Sequence, residues 1–175
     1  MRRIPAVLGL LLTLSIPFPL QAEEGAAWSP QATDTFVVDV ANTIGYLVHA
    51  DGELFSFPVA TGQKEYVRYI GRSYNAQTPV RTWTVEEEQM KGDRRTFGVT
   101  GRFLRLFRNG ESSPYGIHSY VKVDEWMADD YRYRSMGCIV VTEQILNIIE
   151  QTYNLAGHSL KVITTNDLQK TLSRM

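Results

Sequence analysis

Short β-type segments separated by turn signals occupy most of the chain from residue 35 to residue 110. The Asp51-Gly52 dipeptide stands between two of these segments and is typical of a tight hairpin turn. Regularly spaced short strands with such turns predict a sandwich or a barrel and argue against a helical bundle. The predicted strands cover residues 35–40, 45–50, 54–59, 65–70, 80–85, 97–99, 103–107 and 160–163.

One late segment has helical rather than β periodicity. Residues 142–153 carry apolar side chains at helical spacing, Thr142 is a good N-cap, and Gly157 can end the helix. The apolar stripe consists of Ile145, Leu146, Ile148 and Ile149. A chain of 175 residues is long enough to bury the core of one domain. We therefore expect a mainly β domain with a short helix that follows Cys138.

The first residues have the layout of a secretory signal peptide. Arg2 and Arg3 precede an apolar run over residues 6–16, and Ala22 offers a small residue for cleavage. The alternative is an uncleaved membrane anchor, but the run is short for a bilayer span, which needs about 20 residues. We expect export to the periplasm or cell wall and a mature chain without a transmembrane segment. The predicted divisions are a signal peptide over 1–22, a flexible leader over 23–34, a folded domain over 35–166 and a C-terminal tail over 167–175.

Charge and ligand-forming residues limit the partners. The formal net charge is −1, and Lys and Arg are spread along the chain, so the clustered basic face of a nucleic-acid-binding protein is missing. One Cys and three scattered His give no ligand set with metal-binding spacing. We expect neither a nucleic-acid partner nor a metal or other cofactor, and we expect a monomer.

Cys138 is the only cysteine and cannot close a bridge within the chain. In an exported protein it could form an intermolecular disulfide, stay buried and inert, or react as a thiol. Gly137 directly before it allows a sharp turn, in which successive backbone N–H groups could form an oxyanion hole. The helix predicted after it would direct its positive end towards the thiol and favour the thiolate. These features favour the reactive thiol.

A reactive cysteine also needs a base, and three histidines are available. We expect His49 to be a solvated residue at a strand end, beside the Asp51-Gly52 turn, and His158 to be exposed in a loop. His118 lies between apolar neighbours in residues 114–120. From its surroundings alone, it could equally be a structural histidine or a general base.

Residues 115–119 (Tyr-Gly-Ile-His-Ser) and 135–139 (Ser-Met-Gly-Cys-Ile) resemble the signature of L,D-transpeptidases with a YkuD-type catalytic domain. That signature is His followed by Gly or Ser, then a variable stretch, then Ser/Thr-His-Gly-Cys. Residues 36–40 and 57–62 are similar to the family's opening strands. Residues 78–80 resemble its Thr-Pro-Thr-Gly segment, with Arg81 in place of the glycine. The similarity covers residues 35–164.

The resemblance implies a YkuD-like β-sandwich with a short helix after the active cysteine, and an L,D-transpeptidase-like catalytic domain over residues 35–166. The family's thiolate attacks a peptidoglycan stem peptide, expels the terminal D-residue and passes the acyl group to an amine. Carbapenems are implied as covalent inhibitors. By position, Cys138 is the nucleophile, His118 the base, and Ser119 the residue whose carbonyl holds the ring. The backbone N–H groups of Gly137 and Cys138 are expected to line the oxyanion hole. The residues expected to form that hole or bind substrate are Gly137, Ser135, Met136 and Tyr115.

Two residues depart from the family pattern. Met136 replaces the histidine before Gly-Cys, and Val140 replaces an arginine that could anchor a substrate carboxylate. Arg132 and Arg134 could supply that charge, although solvated loop arginines are the simpler interpretation. Two alternatives to a transpeptidase therefore stay open. One is an L,D-carboxypeptidase or wall-peptide hydrolase that uses the same cysteine, and the other is a wall-binding domain that has lost catalysis.

Overall fold

The computed structural model describes residues 28–69 and 71–175. The predicted signal peptide and residues 23–27 of the predicted leader lie outside this part. The strands are β1 (Thr35–Asp39), β2 (Ile44–Val48), β3 (Leu54–Pro58), β4 (Thr61–Gly62), β5 (Tyr66–Tyr69), β6 (Arg72–Asn75), β7 (Arg81–Met90), β8 (Arg102–Arg108), β9 (Glu111–His118), β10 (Tyr133–Ser135), β11 (Ile139–Val140) and β12 (Leu160–Thr165). The helices are α1 (Val123–Met127), α2 (Glu143–Leu155) and α3 (Leu168–Leu172).

A curled sheet of eight strands in the order β11-β9-β8-β7-β12-β1-β2-β3 forms the body of the domain. Two pairs in it, β1 with β12 and β9 with β11, are parallel, and the others are antiparallel. Two small sheets, β4 with β10 and β5 with β6, stand beside it. The expected mainly β class is confirmed, as is the short helix after Cys138.

Helix α2 covers one face of the sheet and closes the main core. Thr142 caps it as predicted, since its hydroxyl accepts a hydrogen bond from Ile145 N at 3.3 Å. Leu146 and Ile149 are fully buried in the same apolar cluster as strand side chains of β8, β9 and β11. Each such side chain contributes roughly 1.5–3 kcal/mol by leaving water. The residues of these three strands in the cluster are Leu104, Leu106, Ile117 and Ile139.

The segment predicted as a strand over residues 97–99 is a turn, so that prediction is wrong. The Asp93 carboxylate accepts hydrogen bonds from the backbone N–H groups of Arg95 and Thr96, and Gly98 has a φ of +70°. A side-chain cap followed by a left-handed residue bends the chain, and an extended strand cannot form. Phe97 still turns inward and packs on Phe103, with ring centroids 5.5 Å apart.

His49 was expected to be solvated, and this is also wrong. Only 5% of it is exposed, and its Nδ1 lies 2.5 Å from Asp34 Oδ1. Trp28 stacks on the imidazole with ring centroids 3.8 Å apart. Both partners precede the first strand, within the predicted leader, so the spacing of residues around His49 could not reveal them. His158 is exposed, as predicted.

Asp34→Ala should lower the free energy of unfolding by about 1–3 kcal/mol, because it leaves a buried imidazole nitrogen without its partner. The melting temperature of a domain this size should fall by roughly 2–4 °C for each kcal/mol. The control is Glu53→Ala: its carboxylate lies 4.0 Å from His49 Nε2 but is 68% exposed, so the change should be within about 0.5 kcal/mol. Equal melting temperatures for the two variants would contradict a structural role for the buried pair.

The segment predicted as a tail contains α3, which Asp167 caps by accepting a hydrogen bond from Lys170 N at 3.0 Å. Among residues 28–69 and 71–175, no helix has the length and apolar character needed to cross a membrane.

Candidate active site

Strands β9 and β11 bring Cys138 and His118 to one face of the sheet. In their parallel pairing, Ile139 lies opposite Ile117 and Val140 opposite His118. Side chains alternate along a strand, and Ile117 and Ile139 point into the core below α2. Cys138 and His118 therefore point to the other face, as diagonal neighbours on adjacent strands.

A side-chain hydrogen bond fixes the turn that presents Cys138. The Ser135 hydroxyl accepts from Gly137 N–H at 3.1 Å and donates to the Cys138 carbonyl at 2.6 Å. Gly137 has a φ of +111°, and a Cβ there would lie 2.5 Å from a Tyr115 ring atom. Only glycine fits this position, for both its conformation and its contact. Ser135 and Tyr115, predicted to bind substrate, here shape the turn.

Thr78 ties the same turn to the neighbouring loop. Its hydroxyl donates to the Gly137 carbonyl at 3.0 Å and accepts from Gly62 N–H at 2.8 Å. Tyr74, on β6, donates its hydroxyl to the Met136 carbonyl at 2.9 Å. Apart from the general similarity of residues 78–80 to the family, nothing in the sequence indicated these supports.

The predicted oxyanion hole is changed by this arrangement. Gly137 N–H was expected to face the reacting carbonyl, but it already donates to Ser135 Oγ. A donor engaged in the turn cannot also stabilise an oxyanion without breaking that bond. Of the two predicted donors, Cys138 N–H stays the proposed one.

The thiol of Cys138 is protonated at rest. Burial raises its pKa to about 11, while the Gly116 backbone and the charge of Arg105 act in the opposite direction. The expectation that α2 would stabilise the thiolate fails, because β11 separates Cys138 from the helix and α2 packs on the opposite face. A reaction through this thiol would therefore require a base that removes the proton.

His118 has the tautomer that such a base requires. Its Nδ1 lies 2.6 Å from the Ser119 carbonyl oxygen, which can only accept, so Nδ1 carries the proton and Nε2 is the free acceptor. Burial lowers the pKa of the ring below its usual value of 6.5, against the opposite effect of the Ser119 and Thr96 carbonyls. The imidazole is thus neutral at pH 7. No direct hydrogen bond joins it to Cys138 within the described residues.

The rings of Phe97 and Phe103 hold His118 in place, with centroids 5.0 Å and 5.8 Å from the imidazole. Ser119 Oγ is buried and has no hydrogen-bond partner among residues 28–69 and 71–175. Because these rings restrict the imidazole from two sides, they fix the direction of Nε2. Sequence reasoning missed Phe103, which pairs with His118 across β8 and β9.

The two departures from the family pattern have different surroundings. Met136 is partly exposed, with its sulfur 3.6 Å from Gln63 Nε2. Val140 is 1% exposed and packs with Ala60 and Val123 in a small second core. An arginine could not replace Val140 there without burying its charge.

Neither loop arginine supplies the missing charge. Arg132 Nε donates to Thr43 Oγ1 at 3.1 Å, and Arg134 forms an ion pair with Asp129. Both are therefore engaged in holding the loop before β10. In the described part of the chain, no group of three or more His, Cys, Asp or Glu side chains is arranged to hold a metal ion.

Comparisons with known proteins point to one family. The family model of the L,D-transpeptidase catalytic domain (YkuD) matches residues 33–162. An L,D-transpeptidase from Xylanimonas cellulosilytica has a similar structure, with a TM-score of 0.56 and 18% identity over 81% of this chain and 64% of that one. One from Mycobacterium smegmatis gives 0.50 and 17%, over 76% and 58%.

A third similar structure is the carbamoyl enzyme formed by Ldtfm and avibactam, with a TM-score of 0.53 and 15% identity over 77% of this chain and 49% of that one. The chain thus spans about half to two thirds of the length of these solved proteins. No curated protein matches the chain significantly. At such identities the structures support the fold, whereas the family model covers most of the chain. The chain belongs to the family of L,D-transpeptidase catalytic domains.

Proposed function

We propose that this protein is a peptidoglycan L,D-transpeptidase that forms a thioester between Cys138 and a stem peptide and transfers the acyl group to an amine. The observation that carries the proposal is the pairing of β9 with β11, which puts the thiol and the imidazole on one face. The bond from His118 Nδ1 to the Ser119 carbonyl leaves Nε2 free to accept the thiol proton. The family to which the chain belongs acts on this class of substrate.

The proposed reaction has two halves. His118 Nε2 takes the proton from Cys138 Sγ as the sulfur attacks the carbonyl of the third stem residue. The tetrahedral intermediate collapses, the bond to the terminal D-residue breaks, and His118 returns the proton to the departing amine. An acceptor amine then attacks the thioester and loses a proton to His118. The carbon–sulfur bond breaks, and His118 passes that proton to Cys138 Sγ. Each half breaks one acyl bond and forms another, so no oxidant or cofactor is consumed.

The experiment that tests the proposal is incubation of the mature protein with a disaccharide-tetrapeptide, followed by mass spectrometry. A cross-linked dimer lacking one terminal D-residue is expected. A tripeptide product alone would replace the proposal with an L,D-carboxypeptidase, in which water is the acceptor. Neither product, together with no adduct from a carbapenem, would leave a wall-binding domain without catalysis. The proposed location is the cell envelope, reached by export.

Avibactam is a second probe of the same thiol. The solved Ldtfm complex is a carbamoyl enzyme, and its fold is similar to that of this chain. We propose that Cys138 is carbamoylated by avibactam and acylated by carbapenems. Because Cys138 is the only cysteine, a mass increase blocked by prior alkylation of the thiol locates the adduct without peptide mapping.

Met136→His should raise the acylation rate roughly 10- to 100-fold, the effect of one regained hydrogen bond to a charged group. Since Met136 is partly exposed and Gln63 lies beside it, the new ring has a partner and the melting temperature should not change. Met136→Leu is the matched control and should leave the acylation rate unaltered. If Met136→His is slower and melts earlier, the pocket has instead adapted to the thioether.

A further inference from the structure

Two cations converge on one neutral oxygen on the face that carries Cys138. Arg105 Nη2 donates to Gln89 Oε1 at 2.9 Å, and Lys91 Nζ donates to the same oxygen. Both charges also lie above the Phe103 ring, at 5.0 Å for Arg105 and 5.1 Å for Lys91. Like charges held together repel each other, so this arrangement favours an anion between or beside them.

The nearby carboxylate does not balance the two charges. Glu87 Oε2 lies 3.6 Å from Arg105 Nε, beyond hydrogen-bond distance, and the side chain is 46% exposed. Such a pair is screened by water and contributes little. Arg105 Nη1 donates to the Ser113 carbonyl at 2.6 Å, which fixes the guanidinium between β7 and β9. One N–H on each terminal nitrogen has no acceptor in the part of the chain that the structure describes.

The sheet register puts Arg105 in the same cross-strand row as the thiol. Arg105 lies opposite Gly116, and Gly116 is level with Cys138 on the next strand. Two strand spacings, about 10 Å, separate the backbones of Cys138 and Arg105, and the Arg105 guanidinium is held above the Phe103 ring. Gly116, which lies between them in the row, leaves room for that ring, because a Cβ there would lie 2.3 Å from Phe103 Cζ.

We propose that Arg105, assisted by Lys91, binds the C-terminal carboxylate of the acyl donor. This contact determines the enzyme's preference for donor peptides with a free terminal acid. The inference rests on the proposed function. In a stem tetrapeptide this carboxylate belongs to the residue directly after the scissile bond, so it lies within about one residue length, 3.6 Å, of the attacked group. A guanidinium binds a carboxylate through two parallel N–H groups. Val140 carries no positive charge for the substrate carboxylate, and Arg105 on β8 supplies that charge instead.

The test compares one tetrapeptide as the free acid and as the C-terminal amide, both in their conversion and in their binding. Wild type should favour the acid about 10- to 100-fold in kcat/KM, the value of a charged hydrogen bond. Arg105→Gln should bring the ratio of acid to amide close to one, and Arg105→Lys should give an intermediate ratio. Lys91→Gln should reduce the ratio by a smaller factor. The control is Arg108→Gln, which removes an exposed positive charge from the end of the same strand and should leave the ratio unchanged.

The inference would be overturned if Arg105→Gln kept the wild-type ratio of kcat/KM for the acid to kcat/KM for the amide. Equal losses of kcat/KM with both peptides would also overturn it, because they indicate a structural role for Arg105. If wild type converts neither peptide, the proposed function fails by itself. The affinities of wild type and the same variants for the acid and the amide then decide the inference. A preference for the acid in wild type that is lost in Arg105→Gln supports it, and equal affinity of wild type for the two peptides overturns it.

Discussion

Replacing Cys138 with serine should abolish the covalent adduct with carbapenem or avibactam and stop turnover of the tetrapeptide. The change is nearly isosteric, so the fold and the Ser135 turn should be unaffected. Loss of an activated nucleophile costs about 10⁶-fold in turnover in a well-studied hydrolase. Intact-mass measurement after incubation should therefore show the unmodified chain only.

Thermal melting of the same sample is the necessary control, because an unfolded variant would also lack the adduct. Cys138→Ala gives a second control: it removes the nucleophile altogether but should still bind the tetrapeptide. A Cys138→Ser protein that forms the adduct or turns over substrate at the wild-type rate would exclude Cys138 as the nucleophile. The proposed thioester mechanism would then be wrong, although membership of the family would stand.

Local patterns in the sequence predicted those elements whose partners are close in the chain. The hairpin around Asp51-Gly52 and the Thr142-capped helix are confirmed because turn chemistry and helical periodicity act over a few residues. The segment 80–85 is part of a longer strand, β7, whose charged second half lacked an apolar signal. Strand β9 was missed because Pro114 and a run of small polar residues interrupt its pattern.

Features that depend on long-range contacts could not be predicted. The parallel pairing of β9 with β11 puts His118 beside Cys138, and the resemblance to the family implied it where spacing could not. The burial of His49 requires Trp28 and Asp34, which precede the sheet. The approach of Arg105 to the site depends on the register of three strands. The sequence patterns describe single elements, whereas burial and charge arise when several elements meet.

The charge states of Cys138 and His118 decide how the pair must work. Burial raises the pKa of the thiol to about 11 and lowers that of the imidazole below 6.5. At neutral pH both groups are therefore uncharged, and the thiolate–imidazolium ion pair is not the resting state. In the proposed mechanism the thiol therefore reacts as its proton moves to His118, so that the base acts during the attack itself.

His118→Gln should consequently change the shape of the pH profile as well as the rate. In wild type, the acylation rate should fall only when the pH drops through the lowered pKa of His118, and should be level from pH 7 upward. Without the base, the rate should follow the thiolate fraction and rise about tenfold per pH unit towards the thiol pKa of about 11. At pH 7.5 the acylation rate of His118→Gln should be lower than that of wild type by a factor on the order of 10² to 10⁴, and the difference should be smaller at pH 10.

Glutamine keeps much of the volume between Phe97 and Phe103. The matched control is His158→Gln, at an exposed position. Profiles for wild type and His118→Gln that run parallel from pH 6 to pH 10 would show that His118 does not take the proton, because only a general base couples the rate to its own titration.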